Sequence, residues 1–155
     1  MANPDAVAQL YLDSFGSGRI GFGSLANVSA VANAVVSIPF LSGGLTNSGN
    51  VTGSGSVILR RITANNPTGN VSAAYVTITT SADGNTATNN VVVANVALAN
   101  LTSVGRFQDL TIAQPYLSNT AVAGSTTQSL YVNVTVAGGG SNTVNFNVYG
   151  DVVSF

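Results

Sequence analysis

The stretch Leu130-Tyr-Val-Asn-Val-Thr-Val136, followed after Gly138-Gly-Gly140 by Val144-Asn-Phe-Asn-Val-Tyr-Gly-Asp-Val-Val153, decides the fold class. In both halves, apolar residues alternate with Asn, Thr or Tyr. This period of two is typical of β-strands that bury one face. The glycines between the halves predict a turn, and the whole stretch therefore predicts an antiparallel hairpin.

The expected register gives this hairpin one apolar face and one polar, uncharged face. The apolar pairs would be Val136 with Val144, Val134 with Phe146 and Val132 with Val148. The polar pairs would be Thr135 with Asn145, Asn133 with Asn147 and Tyr131 with Tyr149.

The same alternation extends over most of the chain after Ala26, and Gly, Asn and Pro punctuate it. The expected strands span residues 30–41, 56–63, 71–80, 90–100, 105–113, 129–137 and 142–153. A succession of short strands with polar loops predicts an all-β fold, an antiparallel β-sandwich of jelly-roll type.

Residues 1–23 are predicted to form a short N-terminal arm on a β-sandwich domain of residues 24–155. Asn3-Pro4-Asp5 suits the start of a short helix, because Asn can cap it, Pro fits its first turn and Asp opposes its positive end. The glycines within residues 14–23 suit a flexible connection. The alternative for this segment is an ordinary packed strand, although repeated glycine weakens strands.

Charge is scarce in this sequence of 155 residues. Four residues are basic and five acidic, 6% of residues are charged and 45% are hydrophobic, whereas His, Cys, Lys and Glu are absent. Soluble domains usually carry about 25% charged residues. Without His or Cys there is no imidazole or thiol catalysis and no structural zinc site of the common kinds. We therefore expect a protein that is not an enzyme and has no cofactor and no metal.

Four scattered arginines do not form the basic stripe that nucleic acids or anionic membranes require, so neither is an expected partner. The N-terminus also lacks a basic region followed by an apolar run, which predicts synthesis and retention in the cytoplasm.

Uncharged strand faces suggest burial in an assembly. Lys and Glu normally keep sheet edges from pairing with other molecules, and interface centres are depleted of charge. The alternative explanation for the lack of charge is a compositional bias of the source genome.

Arg60 and Arg61 are candidate partner-binding residues. As neighbours in one strand they should point to opposite faces, so that one of them faces inward or an edge and needs an acidic partner. That partner could belong to another subunit, or it could be Asp83, Asp109 or Asp151 of the same chain.

The remaining candidates come from the arm and from residues 104–116, the one run where charge and aromatic residues cluster. They are Pro4, Leu10, Tyr11, Arg106, Phe107 and Tyr116. The run could form a docking ridge, or it could be a strand that divides its side chains between core and solvent.

The ending Tyr149-Gly150-Asp151-Val152-Val153, together with Val35-Val-Ser-Ile-Pro-Phe40 and Ile62-Thr-Ala-Asn-Asn-Pro-Thr68, resembles the head decoration, or cement, proteins of tailed bacteriophages such as cyanophages. The resemblance implies a β-rich virion protein on the capsid surface, made in the host cytoplasm. It implies binding to the major capsid protein, commonly as a homotrimer, and stabilisation of the shell by bridging capsomers. A protein that binds only the assembled shell stabilises it by mass action.

Two other functions fit the residues. One is an extracellular adhesive module that binds glycans or surfaces, and the other is a phage tail or fibre component.

Overall fold

The structure, a computed structural model, describes residues 18–25, 35–41, 55–82, 90–118, 127–138 and 140–154. These residues contain nine strands and no helix. The strands are β1 (Gly18–Leu25), β2 (Val35–Leu41), β3 (Gly55–Asn65), β4 (Tyr75–Thr79), β5 (Val91–Ala97), β6 (Phe107–Leu110), β7 (Tyr116–Ser118), β8 (Thr127–Val136) and β9 (Val144–Ser154). Every pairing is antiparallel, which confirms the predicted all-β, antiparallel fold.

The strands form two sheets that face each other as a β-sandwich. Sheet I consists of β1, β9, β3 and β6, with β7 also paired to β3, and sheet II consists of β2, β8, β4 and β5. The two sheets are continuous at one corner, where Gly21 pairs with Phe40.

One buried apolar cluster draws on both sheets. Sheet I contributes Leu25, Leu59, Ile62, Ala64, Val144, Phe146 and Val148, and sheet II contributes Val76, Ile78, Val92, Val93, Leu130, Val132 and Val134. Connecting segments add Val71, Ala74, Leu98 and Leu101. The alternation that predicted the strands therefore also identified the core face of β8 and β9, except at Val136, which was expected on that face and is 47% exposed.

The predicted hairpin pairing of β8 with β9 is wrong. β8 pairs with β2 and β4, whereas β9 pairs with β1 and β3. The two strands therefore belong to different sheets, and residues 137–143 connect sheet II to sheet I. Val134 and Phe146 contribute to the same core from opposite sheets, and the polar residues of the two strands lie on opposite outer faces.

Most of the other predicted strands exist, with shifted ends. β3, β4, β5, β8 and β9 lie at the predicted places, and β2 occupies the second part of residues 30–41. The expected strand 105–113 is shortened to β6, and β7 follows it as a separate strand that was not predicted.

The predicted arm overlaps a strand of sheet I. β1 lies between β2 and β9, so residues 18–23 belong to the sandwich, and the packed-strand alternative is correct for them. Gly21 pairs with Val148 and Gly23 with Phe146, and all four residues are buried. At these two positions glycine belongs to a buried strand, a case that the sequence pattern did not separate from a flexible connection. The predicted helix lies outside the described residues.

Both neighbours of β9 carry an irregularity at the same level. The register shifts between Arg19 and Gly21 on β1, and between Leu59 and Arg61 on β3. Both bulges lie beside Tyr149: the β1 bulge inserts Ile20 opposite the step from Val148 to Tyr149, and the β3 bulge inserts Arg60 opposite the step from Tyr149 to Gly150. Bulges bend and twist strands locally.

On the side away from the corner, the outer strands of the two sheets are tied together. The Ala113 amide donates to the Val92 carbonyl oxygen at 2.7 Å. The Gln108 side-chain amide donates to the Ala97 carbonyl oxygen at 2.8 Å and accepts from the Asn100 amide at 3.0 Å. These bonds, called the edge seam below, join β5 to the segment around β6. The sandwich thus protects part of its edges without Lys or Glu.

Candidate functional site

Among the described residues, the charged side chains lie on one side of the sandwich. The six charged residues within the described ranges are Arg19 on β1, Arg60 and Arg61 on β3, Arg106 just before β6, Asp109 on β6 and Asp151 on β9. All of them therefore lie on or directly beside sheet I. The strands of sheet II contain no charged residue.

Arg60 and Arg61 form ion pairs within the chain, which confirms the alternative in which their partners are intrachain aspartates. Arg60 Nε donates to Asp151 Oδ2 at 2.8 Å, and Arg61 Nε donates to Asp109 Oδ1 at 2.7 Å. Arg61 Nη2 adds a second bond to Asp109 Oδ2 at 3.3 Å.

Neither arginine belongs to the buried core, so of the two expected placements, inward or at an edge, the inward one is wrong. The bulge between Leu59 and Arg61 allows Leu59 and Ile62 both to be buried, although they are three positions apart. The arginine side chains remain 54% and 20% exposed.

A shallow depression of about 280 Å³ lies beside these ion pairs, lined by Arg60, Arg61, Asp109, Leu110 and Ile112. Its arginines already bind carboxylates, so it offers little uncompensated charge to a ligand. Exposed ion pairs of this kind contribute about 0–1 kcal/mol each to stability.

A second charged group lies on the outer face of β1 and β9. Arg19 Nη1 donates to Asn147 Oδ1 at 3.3 Å, and the guanidinium carbon lies 5.5 Å from the centre of the Phe22 ring. Phe22 is 46% exposed, so this cation–π contact is on the surface. Sequence reasoning missed both residues because it assigned them to the arm. The signal was the alternation of Phe22 with Gly21 and Gly23.

The loop between β5 and β6 is anchored in the core and carries exposed polar groups. Leu98 and Leu101 anchor it in the core, and the Val71 amide donates to the Leu101 carbonyl oxygen at 3.0 Å. Gly105, with φ of 79°, turns the chain just before Arg106. A left-handed backbone of this kind favours glycine.

This loop surrounds a larger, open depression of about 470 Å³, lined by Ala99, Asn100, Thr102, Gly105, Arg106 and Phe107. Phe107 is 60% exposed, and Arg106 is exposed as well. The structure therefore brings two of the predicted residues together, Arg106 and Phe107. Asn100 and Thr102 were not predicted, since nothing in the sequence distinguished them from other Asn and Thr residues.

Tyr116 lies elsewhere, so residues 104–116 do not form one ridge. Phe107 pairs with Asn65 and Tyr116 with Ile58, at the two ends of β3. Ile58 and Asn65 are seven residues apart along an extended strand, a distance of about 20 Å. Tyr116 is 47% exposed. Pro4, Leu10 and Tyr11 lie outside the described residues.

The outer side of sheet II combines neutral polar and apolar groups. Tyr75 and Val136 are register partners at one end of the sheet and are 39% and 47% exposed. Beside them, the Thr135 hydroxyl bonds to Asn95 Oδ1. Further along β8, Asn133 Oδ1 is buried and has no hydrogen-bond partner.

Two negative findings hold for the described residues. They contain no group of three or more His, Cys, Asp or Glu side chains that could hold a metal ion. Among the same residues, we find no helix with the length and apolar character needed to cross a bilayer.

Comparison with known proteins gives no relative: no family model, curated protein or solved structure matches this chain. Its function is therefore inferred from its own residues.

Proposed function

We propose that this chain is a non-enzymatic virion protein that decorates an icosahedral phage capsid and stabilises it by bridging capsomers. Its partners are the major capsid protein and further copies of itself, in a homotrimer. The observation that carries the proposal is that, within the described residues, the charged side chains lie on or beside sheet I and the strands of sheet II carry none.

An uncharged sheet suits permanent burial between proteins. Transferring a charged side chain from water into an interface costs free energy unless it finds a partner, and interface centres are accordingly depleted of charge. The exposed Tyr75 and Val136 add the apolar contact area that such an interface needs. Because the edge seam occupies part of the sheet edges, the outer face of sheet II is the surface we assign to assembly.

The path of the chain is compatible with the same proposal. Leaving β7 aside, β1 pairs with β9, β2 with β8, β3 with β6 and β4 with β5. These nested pairs describe a chain doubled into one long hairpin and rolled up, which we interpret as a jelly roll. Viral capsid domains and lectins both use this architecture, so it is compatible with the proposal without selecting it.

The test is binding to empty, expanded shells assembled from the major capsid protein of the same virus. The purified chain should pellet with the shells, and Val136→Lys should weaken this binding because it places a charge on sheet II. Val104→Lys is the matched control, since Val104 is 66% exposed and lies beside sheet I. A chain that is monomeric and does not pellet with shells would contradict the proposal, as would equal effects of the two variants.

A second candidate is an adhesive or glycan-binding module. The exposed Phe107 beside Arg106 favours it, because aromatic and cationic side chains together suit small polar ligands. A tail or fibre component has no observation of its own in its favour.

A further inference from the structure

We propose that the depression in the β5–β6 loop binds a sugar carboxylate, such as that of a uronic acid. The site consists of Arg106, Phe107, Asn100 and Thr102 in the depression of about 470 Å³. This ligand-binding role goes beyond shell decoration and does not depend on it.

The polar side chains of the depression are available to a ligand. Within the described part of the chain, Arg19, Arg60 and Arg61 bond to Asn147, Asp151 and Asp109, whereas the Arg106 side chain has no such partner. The side chains of Asn100 and Thr102 also make no hydrogen bond there. Arg106 is thus a cation without a local carboxylate, in a chain that contains few cations.

The backbone holds these groups in place before any ligand arrives. Leu98 and Leu101 are fully buried, and the Leu101 amide donates to the Leu98 carbonyl oxygen at 2.9 Å. Gln108 bonds both to the Asn100 amide and to the Ala97 carbonyl oxygen. A loop fixed in this way loses little conformational entropy on binding, which favours affinity for a small ligand.

The types of residue in the site select the ligand class. A planar guanidinium can bind a carboxylate through two parallel hydrogen bonds. The exposed Phe107 ring can pack against the C–H face of a sugar, while the Asn100 amide and the Thr102 hydroxyl can bond to its hydroxyl groups. The volume lies within the usual range of about 300–1,000 Å³ for small-ligand sites.

A nucleic acid fits this site less well. Its phosphates require several cations for useful affinity, and the depression has one. A protein partner would need a larger surface with an apolar centre, about 800 Å² on each side. A single carboxylate on a saccharide matches a single arginine beside a single aromatic ring.

The experiment is an NMR titration of the ¹⁵N-labelled full-length chain with methyl glucuronide. Methyl glucoside is the matched neutral sugar, and acetate is the carboxylate without a sugar. We expect methyl glucuronide to shift the amide signals of Asn100, Arg106 and Phe107, and we expect it to bind more tightly than either control. Added salt should weaken this binding, because it screens the interaction between arginine and carboxylate.

Two variants distinguish binding at this site from nonspecific attraction between the ligand and any cation of the protein. Arg106→Gln should weaken binding about tenfold or more, the loss expected for a charge-assisted hydrogen bond. Arg19→Gln removes the same charge on β1 and should leave the affinity unchanged. The proposal is overturned by the absence of localised shifts, by equal affinity for methyl glucoside or acetate, or by equal losses in the two variants. Shifts at the same amides that depend on protein concentration alone would instead identify a contact between copies and would also overturn it.

Discussion

At the scale of single residues, Gly150 of β9 lies against the backbone of β3. An added Cβ would overlap the carbonyl oxygen of Ile58 and would lie 3.2 Å from Cδ1 of Ile20. The obstructing backbone belongs to β3, whose register shifts between Leu59 and Arg61, whereas β1 contributes only the Ile20 side chain. Glycine is therefore required here because a side chain has no room, and not because of a special backbone angle.

Gly150→Ala should destabilise the protein by about 2 kcal/mol or more, because the obstructing atom belongs to the backbone and cannot rotate away. Urea denaturation measures this change. Gly105→Ala is the informative comparison, since no atom lies within 4 Å of a Cβ there and the cost comes from its φ of 79°. Asn tolerates that conformation, so Gly105→Asn should recover part of the loss, whereas Gly150→Asn should be worse than Gly150→Ala. The reverse pattern would contradict this interpretation.

Asn133→Val should stabilise the isolated protein. The Asn133 amide oxygen is buried without a partner, which typically costs about 1–3 kcal/mol, and Val also favours strands. Thermal unfolding should therefore show a higher Tm. Asn145→Val on β9 controls for strand preference alone, and equal shifts for the two variants would show that the unpaired oxygen carries no penalty.

At the scale of elements, Gln108 is the side chain that ties β6 to the end of β5. Its amide group both donates and accepts across the edge seam. Gln108→Glu removes the donor and places a carboxylate against the Ala97 carbonyl oxygen, so it should cost about 1–3 kcal/mol. Hydrogen exchange should become faster at the Asn100 amide.

Gln114→Glu is the matched control for Gln108→Glu. The Gln114 side chain makes a single long bond of 3.4 Å, from its amide to the Tyr116 carbonyl oxygen. This variant should leave exchange at Asn100 unchanged. If it accelerates that exchange as much as Gln108→Glu does, the edge seam does not depend on Gln108.

The alternation of side chains predicted β8 and β9 and their buried faces, but it did not predict their partners. Val134 and Phe146 face the core whether their strands pair with each other or lie in opposite sheets, so the pattern is identical in both cases. The choice depends on the strands that come earlier in the chain, since β2 and β4 occupy both edges of β8.

The candidate site was only partly predictable for a related reason. Arg106 and Phe107 could be recognised because charged and aromatic residues are rare here. Asn100 lies beside them because the loop between β5 and β6 folds back, and the buried Leu98 and Leu101 hold that loop in place. Likewise, repeated glycine predicted a flexible connection, although Gly21 and Gly23 are buried in β1 opposite Val148 and Phe146.

At the scale of the whole molecule, one core unites two sheets whose outer sides differ in chemistry. Sheet I carries the ion pairs and the Arg19–Phe22 contact, and sheet II carries neutral and apolar groups. A corner and the edge seam connect the sheets on their two sides. In the proposed assembly, sheet II lies against protein, where its lack of charge avoids a desolvation cost.

The most direct test of this account is the copy number of the chain in purified virus particles, measured by quantitative mass spectrometry against the major capsid protein. For a decoration protein that bridges capsomers, the ratio of its copies to those of the major capsid protein should be of order one, because each set of equivalent positions on the shell offers it binding sites. Absence from the particle would contradict the virion proposal, and a handful of copies would contradict shell decoration and indicate the tail.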